Sequence, residues 1–497
     1  MEQDLDHGRP PTPPHHPTAG VRVHRHEIEA IVACAFPSSE LASVTQLDSG
    51  KSYNNRIYFL ELRHSPSESA PQRAVLKVNG RFFGANKVQN EVACFQLLEK
   101  YCPDVPTPRA LAWSEDGTKV TIDTRFKQGA CSLSLPPGVD NLEHGGWILM
   151  SQVPGNPVAV DDLDQATLAQ LGGQLGDIVA SLRQNVPPQQ YCGNVLLPHG
   201  DPGSHTVPRL DGSSLTIRDI LQEGIKTDEP VTSANAYYKL RLEDKLRELE
   251  TSDTYAPNRA IAQPLRAFIS ETLPHLELAG DGIPAGEFVL THYDLSPRNV
   301  LVSGTPPRIT GLVDFEFAGF FSPVEEFLND YIGNAGDWPQ VFYDSYLKRL
   351  RARGVATPAH GFDPDVWNLN HWLETLAGRI APWELPGGCT DEELREKLRE
   401  AEVDVREMLK KLTGSTRFAT LFASQDPEVL QYAHNVATAG TQKGHESQAK
   451  SGFKDLTQGT RDSEKSKKGI LWRDADPNSG EPTKVLVICK TCMSEES

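Results

Sequence analysis

The sequence predicts an α+β fold, with a β-rich first part and a mainly helical second part. In the first part, two segments with alternating apolar residues flank a Gly/Ser/Asn turn in VTQLDSGKSYNNRIYFLEL, which is the pattern of a β-hairpin. In the second part, DLDQATLAQLGGQLGDIVASLRQ repeats its large apolar residues at helical spacing. Strands that precede helices, instead of alternating with them, are typical of the α+β class.

Length and composition are those of a folded protein. The chain has 497 residues, enough for two or three domains, and 38% of them are hydrophobic. Its net charge of -18 disfavours a broad nucleic-acid surface and favours cationic partners or substrates. No segment resembles a secretion signal or approaches the length of a membrane span. We therefore expect a cytoplasmic protein that binds neither nucleic acid nor a membrane.

Both ends of the chain have the composition of disordered segments. Residues 1–26 are rich in proline and histidine and poor in large apolar residues, and residues 425–497 are mostly polar without periodicity. Near the C-terminus, Cys489 and Cys492 form a lone CxxC that lacks the second pair of a zinc site and the context of a redox motif. The eight cysteines are scattered, so we expect reduced thiols.

The β-rich part places a lysine within an apolar run. Lys77 lies within the apolar run RAVLKVN, where an ammonium requires a carboxylate or a phosphate as its partner. Glu91 follows fourteen residues later, near the start of the amphipathic helix ANKVQNEVACFQLLEKY. Either residue alone would ordinarily lie on the surface, but the order of hairpin, strand with lysine and helix with glutamate favours an ion pair between them.

The hairpin turn from Ser49 to Asn55 is the segment whose backbone amides could cover phosphates. The alternative interpretation is an ordinary turn, because the segment is poor in glycine. A Walker P-loop is excluded, because it requires glycine five positions before Gly50, where Thr45 stands.

The sequence from residue 114 onward predicts the remaining strands, loops and helices. Residues 114–146 form an irregular insertion, and WILMSQVPGNPV then predicts a buried strand that ends in a Pro/Gly turn. Tyr191–Pro230 is predicted to be mainly loop, with a short helix around Ile217–Glu223. Further helices are predicted at Tyr237–Glu250, at Pro264–Pro274 and in the segments that follow Phe317, where four tryptophans are either core residues or a cage for an ammonium group.

The chemistry is concentrated in Phe288–Phe317, FVLTHYDLSPRNVLVSGTPPRITGLVDFEF. Two apolar β-rich runs flank a polar loop, and four polar residues lie at their ends, namely His292, Asp294, Asn299 and Asp314. Phosphoryl transfer from a nucleotide requires one carboxylate that orients a hydroxyl, and an amide oxygen with a second carboxylate that hold Mg²⁺. The spacing of these residues satisfies that requirement.

With this motif in its context, the sequence resembles the aminoglycoside phosphotransferase and choline kinase-like family of small-molecule kinases. The resemblance extends from about Val44 to about Leu412 and is strongest in LTHYDLSPRNVLV and GLVDFEFAGF. It implies a bilobal protein-kinase-like fold, with a small antiparallel sheet as the N-lobe and a larger, mainly helical C-lobe. Residues 27–153 would form the nucleotide-binding lobe, and 154–424 the helical lobe with the catalytic loop and acceptor site.

The resemblance also assigns roles to the residues of these motifs. Asp294 would be the catalytic base, His292 the organiser of the catalytic loop, and Asn299 and Asp314 the Mg²⁺ ligands. Lys77, paired with Glu91, would contact the phosphates of ATP. The remaining residues assigned to the nucleotide are those of the turn, Ser49, Gly50, Ser52 and Asn55, and those offered to adenine, Ser151 and Val153.

Two departures from the family pattern bear on function. Tyr293 stands where the family often has glycine or arginine, and DFE replaces the DFG of protein kinases without a long activation segment. The first hypothesis is therefore an ATP-dependent kinase acting on a hydroxyl of a small, cationic molecule. The second is a nucleotide-binding pseudokinase or scaffold, and a protein kinase is third. Candidates for the acceptor pocket are Glu325, Glu326, Asp330 and the tryptophans.

Overall fold

The computed structural model describes residues 17–48, 51–64, 71–80, 84–123, 130–132, 146–197, 206–208, 214–329, 332, 336–382, 385 and 390–414. Of the tails proposed at 1–26 and 425–497, residues 1–16 and all of 425–497, with Cys489 and Cys492, lie outside these residues. Most of the insertion proposed at 114–146 lies outside them as well.

Within the described residues, nine α-helices and fifteen strands occur. The helices are α1 Arg25–Ala35, α2 Ala85–Tyr101, α3 Gln165–Asn185, α4 Ala234–Thr251, α5 Ala262–Ala267, α6 Glu325–Leu328, α7 Gln340–Ala352, α8 Pro364–Ile380 and α9 Asp391–Thr413. The strands are β1 Ser39–Gln46, β2 Asn55–His64, β3 Arg73–Asn79, β4 Ala110–Ser114, β5 Lys119–Ile122, β6 Ala130–Ser132, β7 Trp147–Ser151, β8 Asn156–Pro157, β9 Gly193–Leu196, β10 Thr206–Pro208, β11 Ser214–Arg218, β12 Val289–Thr291, β13 Val300–Ser303, β14 Arg308–Leu312 and β15 Gly319–Phe321.

The described elements belong to two compact units. The first unit contains the described residues up to Tyr237 together with Ala279–Pro364, and the second contains Tyr238–Leu278 and the described residues from Asp365 onward. All of the described strands lie in the first unit. Antiparallel sheets with separate helices confirm the predicted α+β class.

A seven-stranded antiparallel sheet in the order β1-β2-β3-β7-β4-β5-β6 organises the start of the first unit. The predicted hairpin is present as β1 and β2, with Val44 opposite Leu60 in register. The amphipathic helix α1 packs its apolar side on this sheet, where Ile28 and Ile31 share a buried cluster with Leu76 of β3. Burial of these side chains is what fixes the register, because a slip by one residue would turn them toward solvent.

A second antiparallel sheet, in the order β10-β11-β9-β15-β12, corrects one prediction from the sequence. The predicted loop with a short helix around Ile217–Glu223 is not what the structure has. Strand β11 extends to Arg218, and only Leu221–Glu223 forms a helical turn. The strands of this sheet are three to five residues long, too short for alternation to be visible. Their pairing also depends on β12 and β15, which lie far away in the sequence.

Two helices of the first unit, α3 and α7, approach each other closely. Helices α3 and α7 pack together at Gly172 and Gly176 of α3, where a Cβ on Gly172 would lie 2.3 Å from the carbonyl oxygen of Phe342. Asp177, on the same helix, pairs with Arg349 at 2.8 Å and Arg353 at 2.7 Å. A residue larger than glycine at position 172 would force the helices apart.

The second unit is built from helical segments in its described part. Its core includes Leu242 of α4, Leu373 of α8 and Val405 of α9, all of which are fully buried. Arg241 of α4 forms an ion pair with Glu374 of α8. The long charged helix predicted at DEELREKLREAEVDVREMLKKL is α9, which starts with a capping box between Thr390 and Glu393.

Two further findings concern membrane-spanning helices and cysteines in the described part of the chain. Among the described residues, none of the helices combines the length and apolar character needed to span a membrane. Cys94, Cys102 and Cys192 are buried thiols that form no disulfide, whereas Cys34 is disulfide-bonded, so the expectation of a reduced thiol is wrong for that residue.

Candidate active site

The lysine predicted on a buried strand lies among three carboxylates. Lys77 is on β3, and its Nζ lies 2.6 Å from Glu91 of α2, 2.5 Å from Asp314 and 2.9 Å from Glu316. Its side chain is only 5% exposed. A buried ammonium requires such partners, because an unpaired charge is strongly unfavourable in the interior. The structure thus brings together Lys77, Glu91 and Asp314, three residues that the sequence assigned to the nucleotide and metal sites.

The charges of this cluster follow from burial and from the neighbours. Burial lowers the pKa of Lys77, but Asp314, Glu316 and Glu91 outweigh it and raise that pKa well above its ordinary value. Burial, followed by repulsion from Glu316, raises the pKa of Asp314 to about 7. Burial also opposes ionisation of Glu316, yet Lys77 and Lys87 hold its pKa well below the ordinary value. Asp314 is therefore the member of this group that gains or loses a proton near neutral pH.

Glu316 forms the centre of a buried hydrogen-bond network that the sequence analysis missed. Its Oε1 accepts a hydrogen bond of 2.7 Å from the side-chain amide of Asn54, and its Oε2 accepts one of 2.7 Å from that of Asn55. Lys87 Nζ lies 3.0 Å from the same Oε2 and donates to Asn55 Oδ1 at 2.7 Å. The hairpin stem is therefore attached to the segment that carries Asp314.

A signal for part of this network is present in the sequence. Lys87 precedes Glu91 by four residues on α2, so both side chains face the same side of the helix. Glu316 follows Asp314 by two residues in a segment already assigned to the site. The bond between Glu316 and Asn54 could not be predicted, because it joins residues 262 positions apart.

His292 is held as a neutral ring in the catalytic loop. Its Nε2 lies 3.1 Å from the carbonyl oxygen of Val313, and the backbone N–H of Asp294 donates to Nδ1 at 3.3 Å. A carbonyl can only accept, so Nε2 carries the proton and Nδ1 is the acceptor. Burial lowers the pKa of His292 to about 4. Both ring nitrogens are thus engaged in loop contacts, and neither is positioned as a proton carrier at neutral pH.

Asp294 combines one paired oxygen with one unpaired oxygen. Arg298 Nη2 lies 2.6 Å from Asp294 Oδ2, and Arg298 Nη1 lies 4.0 Å from Asp337. Asp294 Oδ1 is buried and has no hydrogen-bond partner within the described part of the chain. A buried carboxylate oxygen without a donor is costly in a folded protein. A hydroxyl that enters the site could donate a hydrogen bond to Asp294 Oδ1 and so satisfy this oxygen.

Asn299 connects the loop to the strand that leads to Asp314. Its Nδ2 donates to the carbonyl oxygen of Asp294 at 3.0 Å, and its own carbonyl oxygen accepts from the N–H of Val313 at 3.0 Å. The first bond fixes the orientation of the side-chain amide, and the second, which is accepted by the backbone carbonyl, ties Asn299 to the residue before Asp314.

Two site residues have left-handed backbone conformations. Tyr293 has φ +75 and Asp314 has φ +70, a region that is unfavourable for residues with a Cβ by about 1 kcal/mol or more. The N–H of Tyr293 donates to Glu326 at 3.3 Å, which helps to hold the strained turn. This explains why glycine suits the position that Tyr293 occupies here.

Buried asparagines hold the segment that follows Asp314. Asn90 of α2 donates to the carbonyl oxygens of Phe315 at 3.2 Å and Glu316 at 3.0 Å, and accepts from the N–H of Val195 at 2.8 Å. Asn194 donates to the carbonyls of Phe317 and Ala318, each at 3.0 Å. The segment is therefore fixed by side chains instead of being free to rearrange.

The remaining residues assigned to the nucleotide differ in how far the structure describes them. Ser49 and Gly50 lie outside the described residues, while Ser52 is half-buried and is not among the groups that contact Glu316. The Ser151 N–H donates to the carbonyl of Arg109 at 2.9 Å, so it is already engaged in the sheet. The Val153 N–H forms no hydrogen bond with described residues, which leaves it as the candidate donor to adenine.

The acceptor candidates are mostly engaged in structural contacts. Glu326 is fully buried and accepts from the N–H of His292 at 3.1 Å, and Glu325 accepts from the hydroxyl of Tyr237 at 3.3 Å. Trp338 Nε1 donates to the carbonyl of Leu295 at 2.7 Å. Trp367 and Trp372 lie on α8 in the second unit, and Asp330 and Trp383 lie outside the described residues.

The donor set of the site fits Mg²⁺. Oxygen atoms of Glu91, Asp314 and Glu316 lie within 4.8 Å of one another, and the Asp314 side chain retains 29% exposure. Mg²⁺ prefers carboxylate and amide oxygens over nitrogen or sulfur ligands. Asp314 and Asn299 are thus of the right chemistry to hold it.

Comparisons with known proteins gave one family match and several similar solved structures. A comparison with curated protein sequences found no match. Among solved structures, the ADP-bound aminoglycoside phosphotransferase APH(2'')-Ib is 13% identical with a TM-score of 0.43, and the comparison covers 78% of this chain and 99% of that chain. An ethanolamine kinase of Plasmodium vivax is 10% identical with a TM-score of 0.36, covering 76% of this chain and 83% of that one.

The sequence profile of the phosphotransferase enzyme family matches residues 43–360. This range contains every residue assigned above to the nucleotide, the metal and the catalytic loop. Because the match extends over more than half of the chain, the protein belongs to the phosphotransferase enzyme family.

Proposed function

We propose that this protein transfers the γ-phosphoryl group of ATP to a hydroxyl of a small molecule. The observation that carries the proposal is the state of Asp294, whose Oδ2 is fixed by Arg298 while Oδ1 is buried without a partner among the described residues. A hydroxyl bound at Oδ1 would donate its proton there, which removes the cost of the unpaired oxygen and orients the nucleophile.

In this mechanism the protein mainly contributes position and charge. Asp294 orients the hydroxyl and accepts its proton late in the transfer. His292 stays neutral and maintains the loop through its contacts with Val313 and Asp294. Arg298 prevents the Asp294 carboxylate from rotating away from the acceptor.

The nucleotide side depends on a second group of residues. Lys77 would contact the phosphates, with Glu91 of α2 holding the lysine side chain in position. Mg²⁺ bound with ATP by Asn299 and Asp314 would neutralise charge on the phosphates. Deprotonation of Asp314, whose pKa is raised to about 7, would accompany that binding.

For the acceptor, we propose a cationic hydroxyl compound such as an amino alcohol or an amino sugar. The support is the net charge of -18, which attracts cations through long-range electrostatics. A screen of amino alcohols, aminoglycosides and hydroxylated metabolites, followed by ADP release, tests this choice. A neutral or anionic acceptor would contradict the substrate class while leaving the reaction type intact.

The test of the reaction is the Asp294→Asn variant. We expect ADP release from Mg·ATP to fall by about 10²-fold or more, because an amide cannot accept the proton, with nucleotide affinity nearly unchanged. Asp344→Asn, which alters an exposed carboxylate of α7, is the matched control and should keep the wild-type rate. Turnover in Asp294→Asn equal to that of the wild type would sink the assignment.

The competing function is a nucleotide-binding pseudokinase or scaffold. The presence of Lys77, Asp294, Asn299 and Asp314, in contact with the partners described above, favours an active enzyme. Binding of ATP without ADP release, either alone or with the hydroxyl library, would instead support the scaffold.

A further inference from the structure

Two lysines share one carboxylate oxygen in the buried cluster. Lys77 Nζ and Lys87 Nζ lie 2.9 Å and 3.0 Å from Glu316 Oε2. The side chains of Lys87 and Glu316 are each 3% exposed. The mechanism above uses only Lys77, and it leaves the second buried lysine without a role.

Lys87 also determines how the hairpin stem is attached. Asn55 is the last residue of the turn proposed to cover the phosphates and the first residue of β2, and its amide bridges Glu316 and Lys87. Asn54 adds a separate bond to Glu316 Oε1. Three side chains, Lys87, Glu316 and Asn55, therefore form a closed ring of polar contacts, which fixes the stem of a turn that lacks the glycines of a typical phosphate loop.

The charges of the cluster explain why a second lysine is needed. Glu91, Asp314 and Glu316 supply three carboxylates, and Lys77 and Lys87 supply two ammonium groups. Without Lys87, Lys77 would be the sole cation in contact with Glu316 among the described residues. The carboxylates would then hold the Lys77 ammonium more strongly, so phosphates would compete for it less well. The excess negative charge of the three carboxylates would also repel a triphosphate.

We propose that Lys87 is a positioning residue for triphosphate recognition. By neutralising Glu316 and attaching it to the stem formed by Asn54 and Asn55, it leaves Lys77 available to the phosphates and fixes that stem to the segment that carries Asp314. This inference rests on the proposed function only in requiring that the protein binds ATP at this site.

The experiment compares ATP with adenosine, which lacks phosphates but retains the base and the sugar. We expect Lys87→Met to weaken binding of Mg·ATP by about tenfold in calorimetric titration, the equivalent of one lost charge contact, and to leave binding of adenosine unchanged. Asn86→Ala is the matched control, because Asn86 lies on the same helix but bonds to Asp219 at 2.6 Å, away from the cluster. Its ratio of ATP to adenosine affinity should equal that of the wild type.

A second variant covers the case in which Lys87→Met does not fold, as thermal unfolding would reveal. Asn54→Ala removes only the bond to Glu316 Oε1, and we expect it to weaken ATP binding by about threefold with adenosine binding unaffected. A double-mutant cycle then isolates the charge effect, because Lys87→Met should have a smaller effect in the Glu316→Gln background if it acts through Glu316.

Equal weakening of ATP and adenosine binding by Lys87→Met, or an undiminished effect in the Glu316→Gln background, would overturn the inference. Unchanged ATP binding in both Lys87→Met and Asn54→Ala would do the same. A wild-type protein that binds adenosine no less tightly than Mg·ATP, or that binds neither, contradicts the proposed function itself. The two failures are therefore distinguishable.

Discussion

At the scale of single residues, the site depends on protonation states imposed by burial. His292 is fully buried, and its pKa is lowered to about 4 because the interior disfavours the charged ring. In the unfolded chain a histidine titrates near its ordinary value of about 6.5. Between these two values the unfolded state binds the additional proton, so stability rises with pH in that interval.

We therefore expect the free energy of unfolding to fall as the pH is lowered from about 6.5 to about 4, by roughly 3 kcal/mol from this one group. Urea denaturation at a series of pH values measures the slope. The matched variant is His292→Gln, which should be less stable at neutral pH but should lose its part of the slope. An identical slope in the variant would show that other groups cause the acid sensitivity.

Some residues of the site could be assigned from the sequence, and others could not. The roles proposed for Asp294, Asn299 and Asp314 follow from residue type and spacing within a single short segment, so they could be stated without a structure. From the sequence, Glu316 was recognised only as a departure from DFG, because its four polar partners come from β2 and the residue before it, from β3 and from α2. The left-handed φ of Tyr293 was equally inaccessible, since tyrosine has no preference for it.

At the scale of elements, α2 connects the parts of the first unit that carry the chemistry. Glu91 contacts Lys77 of β3, Lys87 contacts Glu316, and Asn90 binds the backbone on either side of the Phe315–Glu316 peptide. These residues are consecutive or one turn apart, so one face of the helix makes all three contacts. The helix thus holds the Asp314 segment in place without a separate activation segment.

Asn90→Ala tests this role of α2. The variant removes the donor to the carbonyls of Phe315 and Glu316 and the acceptor for the N–H of Val195. Leaving these buried backbone groups unpaired should lower the free energy of unfolding by about 2–4 kcal/mol, and binding of Mg·ATP should weaken because Asp314 is no longer fixed.

Urea denaturation and calorimetric titration measure the two effects of Asn90→Ala. The control is Asn86→Ala on the same helix, which should lose stability without losing affinity for Mg·ATP. If Asn90→Ala binds Mg·ATP as tightly as the wild type, α2 does not organise the metal side of the site.

The elements themselves were predictable in proportion to their length. The long helices α1, α2, α3 and α9 and the hairpin of β1 and β2 have apolar periodicities that extend over eight residues or more. The short strands β9 and β11 do not, and they become strands only by pairing with each other and with β15 across the sequence. Tertiary contacts therefore determine the structure of these two segments, for which the local sequence predicted a loop.

At the scale of the whole molecule, the described residues assigned to ATP and Mg²⁺ lie in the first compact unit. That unit is discontinuous in sequence, since it contains Ala279–Pro364 as well as the described residues up to Tyr237. No single-segment pattern could predict this, because it arises from contacts between distant parts of the chain. It also means that nucleotide binding should stabilise a unit assembled from both segments.

We expect Mg·ATP at about 100 times its dissociation constant to raise the free energy of unfolding by about 2.7 kcal/mol, because a ligand that binds only the folded state shifts the equilibrium by mass action. Thermal unfolding at increasing Mg·ATP concentrations measures the shift. Hydrogen exchange locates it, and both β3 and the segment around Asp314 should gain protection. Asp314→Ala should retain the part of the shift that ATP produces without metal and lose the part that Mg²⁺ adds. A Mg²⁺-dependent shift of full size in Asp314→Ala would mean that the metal is held by other residues, and the assignment of Asp314 would then be wrong.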